Sequence, residues 1–324
     1  MAIEVAQLEP RDHAAWQDFL AQTATGTLFH DLGFLAYHPP DRHDFHHLIF
    51  REDGRILALL PGGLRPDRDG LVFASPLGAS FGGFALHPDL RLPAALELVD
   101  ALVGHARAAG WRGLDITLAP PAYNGRIGQL PSFAFTRAGF RTLNQHLCPA
   151  IRLAADGPDL FARRFRATAA RRVRAARRAG ATVRRMDSPE RFLPLLDQTY
   201  VRHGAPPTHS AAELADLARR LPGRLAFHIA EQDNEATGGI CVFRLGARLA
   251  TTFYICPNAA RPRDHGVLVA LADALDHLAM DGVEWLDLGP SADHARINHG
   301  VMAFKEGLGA EYQIRERLTL LTGR

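Results

Sequence analysis

The chain has 324 residues, 47% of them hydrophobic, and a formal net charge of +2 at pH 7. This length and composition suit two globular domains of about 150 residues each. There is no apolar run of eighteen residues and no basic-then-apolar start, which predicts no membrane span and no signal peptide. The three cysteines lack metal-ligand spacing and suit a reducing compartment. We therefore predict a cytoplasmic protein.

The first half is predicted to contain antiparallel strands followed by a long helix. Asp53-Gly54 separates the first two strands and favours a two-residue hairpin turn. Apolar residues recur every three to four positions over residues 96–109, which predicts a helix with one face on a sheet. Gly110 then stands where a helix commonly ends in a left-handed glycine. The predicted strands cover residues 47–51, 56–64 and 71–84.

The boundary between the halves is predicted in the turn-like segment ADGP, residues 155–158. It divides the chain into domains 1–155 and 156–324. The second half repeats the order of the first, with a turn at Asp233-Asn234 and a helix over residues 267–280 that ends before Gly282. Its predicted strands cover residues 225–231, 239–245, 248–255 and 312–321.

A basic helix is predicted at the start of the second half, with ten arginines between residues 163 and 185. Crowded arginines are costly without an anion, so Arg171, Arg174 and Arg178 are predicted to bind the phosphates of a donor such as tRNA. The alternative is a solvated helix in a protein that uses arginine almost throughout in place of lysine. An apolar stripe along this helix consists of Phe161, Phe165, Ala169, Val173 and Ala176.

The two halves share a motif. The first copy reads GWRGLDI over residues 110–116, and the second reads GVEWLDL over residues 282–288. Each copy follows a long helix and leads to a related ending, FTRAGF at residues 135–140 and FKEGLG at residues 304–309. Such self-similarity indicates a duplicated unit. The order of elements predicts an α+β fold in which mixed sheets are flanked by helices.

These motifs carry a resemblance to a known family. LDLGPS at residues 286–291, followed by FKEGLG at residues 304–309, resembles the FemAB-like branch of the GNAT superfamily. The basic run RRVRAARRAG at residues 171–180 is similar to the helix that opens the second domain of that branch. The resemblance implies two tandem GNAT-like domains. The first would be degenerate, and the second would be an acyltransferase domain carrying the active cleft.

The resemblance also implies a chemistry. FemAB-like proteins include ligases that add amino acids from aminoacyl-tRNA to peptidoglycan precursors, and N-acyltransferases of exopolysaccharide and natural-product pathways. We therefore expect transfer of an acyl or aminoacyl group to an amine on a small molecule or on a peptidoglycan or glycan precursor. No tightly bound cofactor and no DNA partner are expected. The heptad helical pair that forms the coiled-coil arm of some peptidoglycan ligases has no counterpart in this sequence.

The donor stays open between acyl-CoA and aminoacyl-tRNA. RDHGVL at residues 263–268 meets half of the pyrophosphate-binding signature of CoA-dependent acetyltransferases, Arg or Gln followed by x-x-Gly-x-Gly/Ala. Arg263 and Gly266, together with the helix start, are predicted to hold a phosphate. The alternative is a simple helix entry with Asp264 as its N-cap. The basic helix favours tRNA instead.

Lys305 is the only lysine in the chain. The resemblance implies that this lysine lies near the reacting carbonyl, where its ammonium would stabilise the developing negative charge. The alternative is a solvated lysine that pairs with Glu306 or Glu311. His299 is a candidate to take the proton of the attacking amine. Asp287 is a second candidate base, although it also fits an orienting role in the following loop.

Further candidates surround these residues. Tyr254, on a predicted central strand, would protonate a leaving group, or it is a core tyrosine with a satisfied hydroxyl. Ser291, Asn298 and Phe304 are predicted to contact the acceptor, with helix capping as the alternative for the serine and the asparagine. No metal site is predicted, because the histidine cluster at residues 43–47 lacks a further ligand.

A function of another class remains open. A degenerate pair of GNAT-like domains would bind a polyanionic or nucleotide-like ligand without catalysis. Lys305 and the intact ending of the second copy favour the enzyme.

Overall fold

The computed structural model of the protein describes residues 3–153 and 159–323 and shows mixed sheets with helices packed on them. The strands are β1 (Glu4–Gln7), β2 (Asp44–Phe45), β3 (Leu48–Glu52), β4 (Arg55–Leu60), β5 (Gly63–Asp67), β6 (Gly70–Ser75), β7 (Ala85–Leu86), β8 (Gly113–Thr117), β9 (Arg141–Arg152), β10 (Thr182–Met186), β11 (Leu225–Gln232), β12 (Glu235–Arg244), β13 (Leu249–Pro257), β14 (Trp285–Asp287) and β15 (Glu311–Leu321). The α-helices are α1 (His13–Leu20), α2 (Leu32–Leu35), α3 (Leu92–Ala108), α4 (Leu130–Arg137), α5 (Leu160–Arg164), α6 (Ala167–Arg178), α7 (Leu193–His203), α8 (Ala211–Arg220), α9 (Gly266–Met280) and α10 (His299–Gly307). The α+β prediction is confirmed.

The chain folds into two compact units. Unit 1 contains Met1–His146 and Gln313–Arg324, and unit 2 contains Leu147–Tyr312. These bounds differ from the predicted halves because the long strands β9 and β15 each contribute residues to both units. The predicted boundary segment, residues 155–158, lies outside the described residues, so the division into 1–155 and 156–324 stays a prediction. None of the helices in the described residues has the length and apolar character that crossing a membrane requires.

Unit 1 contains two groups of strands, ordered β1-β3-β4-β7 and β15-β8-β6-β5-β2. The parallel pair β6–β8 is joined through α3, which buries one face in the core of this unit. The predicted hairpin between β3 and β4 is confirmed. Asp53 and Gly54 both have positive φ, 48° and 79°, as the favoured two-residue turn requires. Gly110, at φ 69°, ends α3 in the left-handed conformation as predicted.

Unit 2 has the strand order β10-β11-β12-β13-β14-β9. Its strands pair in antiparallel fashion except β13 and β14, which are parallel and are joined through α9. Eleven of the fifteen residues of α9 are buried, so this helix is the centre of the core of unit 2. The basic helix, predicted as one segment, is instead two helices, α5 and α6, because Phe165 between them is extended (ψ 143°).

Candidate active site

The sheet of unit 2 opens between β13 and β14. The two strands pair only from Leu249 opposite Trp285 to Thr251 opposite Asp287, within the described residues. Beyond that point β13 continues along β12, while the chain after β14 follows β9 through Leu288 N donating to Pro149 O (3.0 Å). A register shift opposite Cys241 and Val242 adds a bulge to β13 at this place. The divergence leaves an edge of β13 inside the sheet.

The N-terminus of α9 lies against the strand next to that edge. A Cβ on Gly266 would lie 2.4 Å from the carbonyl carbon of Thr237, so only glycine permits this approach of helix to strand. His265 occupies the N-cap position in the left-handed conformation (φ 55°) and makes no side-chain capping hydrogen bond. Leu268 N and Val269 N donate to His265 O, whereas Gly266 and Val267 precede the first intrahelical hydrogen bond, so their N–H groups are the donors that this helix start can present to a ligand. The alternative role of Asp264 as N-cap is wrong, because its carboxylate pairs with Arg261 (2.5 Å).

A cavity of about 360 Å³ lies at this helix start, wholly within unit 2. The segment that links β13 to α9 forms one wall, and the beginnings of α6 and α9 and the end of α10 form the others. Its lining residues are Arg166, Thr168, Ala169, Arg172, Thr237, Pro257, Asn258, Arg261, Pro262, His265, Gly266, Val267, Leu268, Ala303, Phe304 and Gly307.

The cavity is cationic. Arg166 and Arg172 form no ion pair with any of the residues that the structure describes, and both side chains are exposed. Arg261 is different, because Glu235 (2.7 Å) and Asp264 (2.5 Å) already neutralise its guanidinium. Burial, with the positive charge of Arg172, lowers the pKa of His265 below its ordinary value. Guanidiniums beside a helix N-terminus are groups suited to binding a phosphate or pyrophosphate.

Lys305 lies in α10, adjacent to the cavity residues Ala303, Phe304 and Gly307 of the same helix. Its side chain is buried, with 4% exposed, so its alternative reading as a solvated surface lysine is wrong. The Nζ group donates to the carbonyl oxygens of Gly289 (2.8 Å) and Pro290 (3.4 Å). A buried ammonium of this kind places a positive charge beside the loop that follows β14.

Two of the predicted residues lie at the end of β14 and in the loop that follows it. The buried Asp287 accepts a hydrogen bond from Gly289 N through Oδ1 (2.6 Å), which fits the orienting role foreseen for it. Ser291 is also buried, and its Oγ has no hydrogen-bond partner among the described residues. A buried hydroxyl without a partner is uncommon and points to a ligand or water that completes it.

Asn298, His299 and Phe304 lie along α10. Asn298 caps the helix by accepting from Val301 N (3.0 Å), which is the capping alternative foreseen for it. His299 is the first residue of the helix and is exposed. Phe304 is half-buried, packs against the core of unit 2 and lines the cavity. The structure therefore brings Phe304 to the cavity, whereas Asn298 and His299 precede it in the chain and lie outside the cavity lining.

Tyr254 is buried on β13 and does not line the cavity. Its hydroxyl contacts His209, at 3.0 Å from the backbone N and 2.7 Å from Nδ1. Burial raises the pKa of Tyr254. These contacts fit the alternative of a core tyrosine with a satisfied hydroxyl, and its role as proton donor stays a prediction.

The predicted phosphate-binding arginines lie apart from the cavity lining. Arg171, Arg174 and Arg178 are exposed on α6, and the Arg174 guanidinium lies 5.8 Å from the Phe161 ring centre. Arg263 is exposed on the linking segment, while Gly266 of the same motif does line the cavity. A tRNA-binding role for the three helical arginines stays a prediction.

Arg166 and Arg172 are not among the residues predicted from the sequence, although the sequence contains a signal for Arg172. Arg172 lies three residues after Ala169 and four before Ala176, two members of the buried stripe. Residues at these spacings share a helix face, so Arg172 borders the buried side, whereas Arg171 and Arg178 project from the outer side. Arg166 carries no such signal, because it follows the extended residue that separates α5 from α6.

Comparison with known proteins relates this geometry to a family. Residues 163–306 match the family model described as an acetyltransferase (GNAT) domain. No curated protein matches the sequence. Among solved structures, FemX is similar to this chain with a TM-score of 0.76 at 12% identity, over 98% of this chain and 97% of that chain.

Two further solved structures are similar over nearly the whole chain. A tandem GNAT protein from the clavulanic acid biosynthesis pathway has a TM-score of 0.57 at 17% identity, over 99% of each chain. L-PGS from Bacillus licheniformis has a TM-score of 0.60 at 14% identity, over 98% of this chain and 93% of that chain. Identities this low relate the folds alone. Residues 163–306 thus match a GNAT acetyltransferase domain, and the chain as a whole has a two-domain, GNAT-like fold.

Proposed function

We propose that the protein is an N-acyltransferase that moves an acyl or aminoacyl group from a thioester or an aminoacyl-tRNA to an amine, with its active cleft in unit 2. The observation that carries this proposal is the cationic cavity at the start of α9, beside the edge where β13 leaves β14. Acyl-CoA and aminoacyl-tRNA both contain phosphate groups, which Arg166, Arg172 and the helix N-terminus would hold.

The transfer is direct in this proposal. The amine nitrogen attacks the acyl carbonyl, a tetrahedral intermediate forms, and the bond to the thiol sulfur or tRNA oxygen breaks. The proton lost by the amine is balanced by the proton that the leaving group takes up. Fixing carbonyl and amine in one cleft supplies much of the rate enhancement, so a weak base suffices.

Lys305 would stabilise the oxyanion by its charge. Its buried ammonium carries a positive charge in surroundings where electrostatic effects are stronger than in water. Its hydrogen bonds to Gly289 O and Pro290 O also fix the loop that contains Ser291. The unpartnered Oγ of Ser291 would then bind the acceptor. Of the two candidate bases, His299 is exposed, whereas Asp287 accepts a hydrogen bond from Gly289 N.

The test measures transfer from acetyl-CoA and from aminoacyl-tRNA to a panel of amines, with two matched variants of α6. Arg172→Gln removes a cavity guanidinium, and we expect the KM for the donor to rise about tenfold. Arg178→Gln removes an arginine of the outer face and should leave KM unchanged for acetyl-CoA. Transfer from only one donor class identifies the donor.

The outcomes separate the proposal from its rivals. If the two variants changed the KM for the donor equally, the cavity would have no specific role in donor binding. If Arg178→Gln weakens only aminoacyl-tRNA, the outer face of α6 also contacts the nucleic acid. Binding of either donor without transfer to any amine would favour the non-catalytic alternative.

A further inference from the structure

A second group of chemically active side chains lies further along α9, beyond the helix start that lines the cavity. Asp273 and His277 are four residues apart on this helix and therefore share one face. His228, on β11, lies beneath them. One nitrogen or oxygen atom from each of the three residues lies within 4.8 Å of the other two.

The distances within the group are close to those of a metal-ligand set. Asp273 Oδ2 lies 2.8 Å from His228 Nδ1 and 3.3 Å from His277 Nδ1. Ligand atoms on a tetrahedral zinc ion are about 3.3 Å apart, given metal–ligand bonds of 2.0–2.1 Å. Small side-chain movements would bring all three atoms to one ion. His277 Nδ1 also lies 2.9 Å from the backbone O of Asp273, a contact that metal binding would replace.

Charge and burial also fit a cation. Asp273 pairs with no arginine or lysine in the part of the chain that the structure describes, and its carboxylate faces only the two imidazoles. The His228 side chain is 3% exposed, Asp273 23% and His277 42%. The group therefore has a buried ligand at its base and an opening to solvent on the side of His277. An ion has a path of entry there.

We propose that His228, Asp273 and His277 bind a divalent transition-metal ion of the zinc class. Two imidazole nitrogens and one carboxylate oxygen are donors that zinc accepts, with a fourth position left for water. The site lies about 10 Å along the helix from Gly266, at 1.5 Å per residue. Because α9 also forms a wall of the cavity, a bound ion would fix it against β11 without entering the acyl-transfer chemistry.

The site is tested with the full-length protein after treatment with a chelator. Titration with Zn²⁺ is followed by calorimetry, and titration with Co²⁺ by the visible absorption of four-coordinate cobalt. We expect one ion per chain, a cobalt spectrum typical of four-coordination, and a rise in Tm of several degrees at saturating zinc.

Two variants separate a metal site from a hydrogen-bonded His-Asp-His group. Asp273→Asn keeps the shape and can still accept from His228, but it removes the anionic ligand, so zinc affinity should fall by more than about tenfold. His277→Gln, at the exposed ligand, should have the same effect. His87→Gln is the matched control, because exposed His87 lies beside Asp89 (3.9 Å) without belonging to the three-residue group.

Three results of the metal titrations would overturn the proposal. Absence of binding by the wild-type protein would leave the three residues as a hydrogen-bonded group. Equal zinc affinity in the wild type and in Asp273→Asn would identify adventitious binding elsewhere. If His87→Gln lost zinc affinity and Asp273→Asn kept it, the ion would bind at His87 and not at the three-residue group.

Discussion

The two copies of the repeated motif differ in whether the sheet beside them closes or opens. In unit 1, β6 and β8 pair from Val72 opposite Gly113 to Ser75 opposite Ile116, and Gly82 N then donates to Thr117 O (2.8 Å). In unit 2, the corresponding parallel pair stops at Thr251, while β13 extends to Pro257. The same order of helix, glycine and strand thus forms a covered edge in one unit and an open edge in the other.

The aspartates of the two copies show the same contrast. Asp115 of unit 1 forms ion pairs with Arg65 and with Arg317 (2.7 Å). Burial raises the pKa of Asp115, yet hydrogen bonds from Thr319, Arg317 and Arg65 bring it below its ordinary value overall. Asp287 of unit 2 accepts a hydrogen bond from the backbone N of Gly289, in the loop that follows it. One aspartate serves the packing of the unit, and the other orients a loop beside a buried lysine.

The helix starts differ as well. In α3 the first turn contains Pro93, which lacks an N–H, and the residue before the helix is Arg91. In α9 the first residue is Gly266, packed directly on Thr237. The duplication therefore kept the scaffold in both units, while the features suited to an anionic donor occur together only in unit 2 among the described residues. We place the proposed reaction there for this reason.

The largest expected effect concerns the lysine of the open copy. Lys305→Met removes the buried charge, and we expect kcat to fall about 100- to 1,000-fold because oxyanion stabilisation is lost. Single-turnover transfer and Tm are measured together, since the variant also loses the contacts to Gly289 O and Pro290 O. A raised acceptor KM with kcat retained would make Lys305 a positioning residue, and unchanged turnover would exclude it from the mechanism.

The aspartate of the closed copy should affect stability instead. Asp115→Asn leaves Arg65 and Arg317 against a neutral amide, at a cost of about 2–3 kcal/mol in the free energy of unfolding. Denaturant unfolding measures this change, and kcat per folded molecule should stay at the wild-type value. A large loss of kcat in the folded variant would contradict the assignment of chemistry to unit 2.

A pair of glycine substitutions compares the two long helices. Gly266→Ala places a Cβ 2.4 Å from the Thr237 backbone, which should cost about 1–3 kcal/mol of stability and weaken donor binding. Gly104→Ala, in the interior of α3, meets no atom within 4 Å and should stabilise the protein by about 0.5–1 kcal/mol. Thermal unfolding of both variants gives the comparison. Equal changes would mean that α9 can move away from β12 at little cost.

The stability of unit 1 is also expected to depend on pH. Burial lowers the pKa of His47 to about 4, whereas an unfolded histidine titrates near pH 6.5. The unfolded chain thus binds the proton more readily than the folded chain. The contribution of neutral His47 to the free energy of unfolding is therefore fully present above pH 6.5 and is lost as the pH falls towards 4. At pH 5.5 the loss is about 1.4 kcal/mol.

His47→Gln should remove this part of the acid sensitivity, since a glutamine oxygen can still accept from Gly62 N. Fluorescence of Trp16, whose ring lies 5.8 Å from His47, reports unfolding of this unit. His87→Gln, at an exposed histidine of the same unit, is the control. An unchanged pH profile in His47→Gln would show that another group causes the acid sensitivity.

Local features of the fold could be predicted from the sequence because they depend on neighbouring residues. Asp53-Gly54 and Asp233-Asn234 specify their turns through positive φ, and Gly110 and Gly282 end their helices for the same reason. Apolar spacing gave α3 and α9 to within a few residues of their observed bounds. The duplication was visible because each copy uses the same local signals.

The tertiary structure alone decided which distant residues meet. Lys305 is buried because the loop after β14 folds over α10, and no local pattern predicts that contact. Arg166 reaches the cavity through the break between α5 and α6. His228 is 45 residues from Asp273 and shares no spacing rule with it. Local preferences fix the elements, whereas packing of the sheet and α9 brings together side chains that are far apart in the chain.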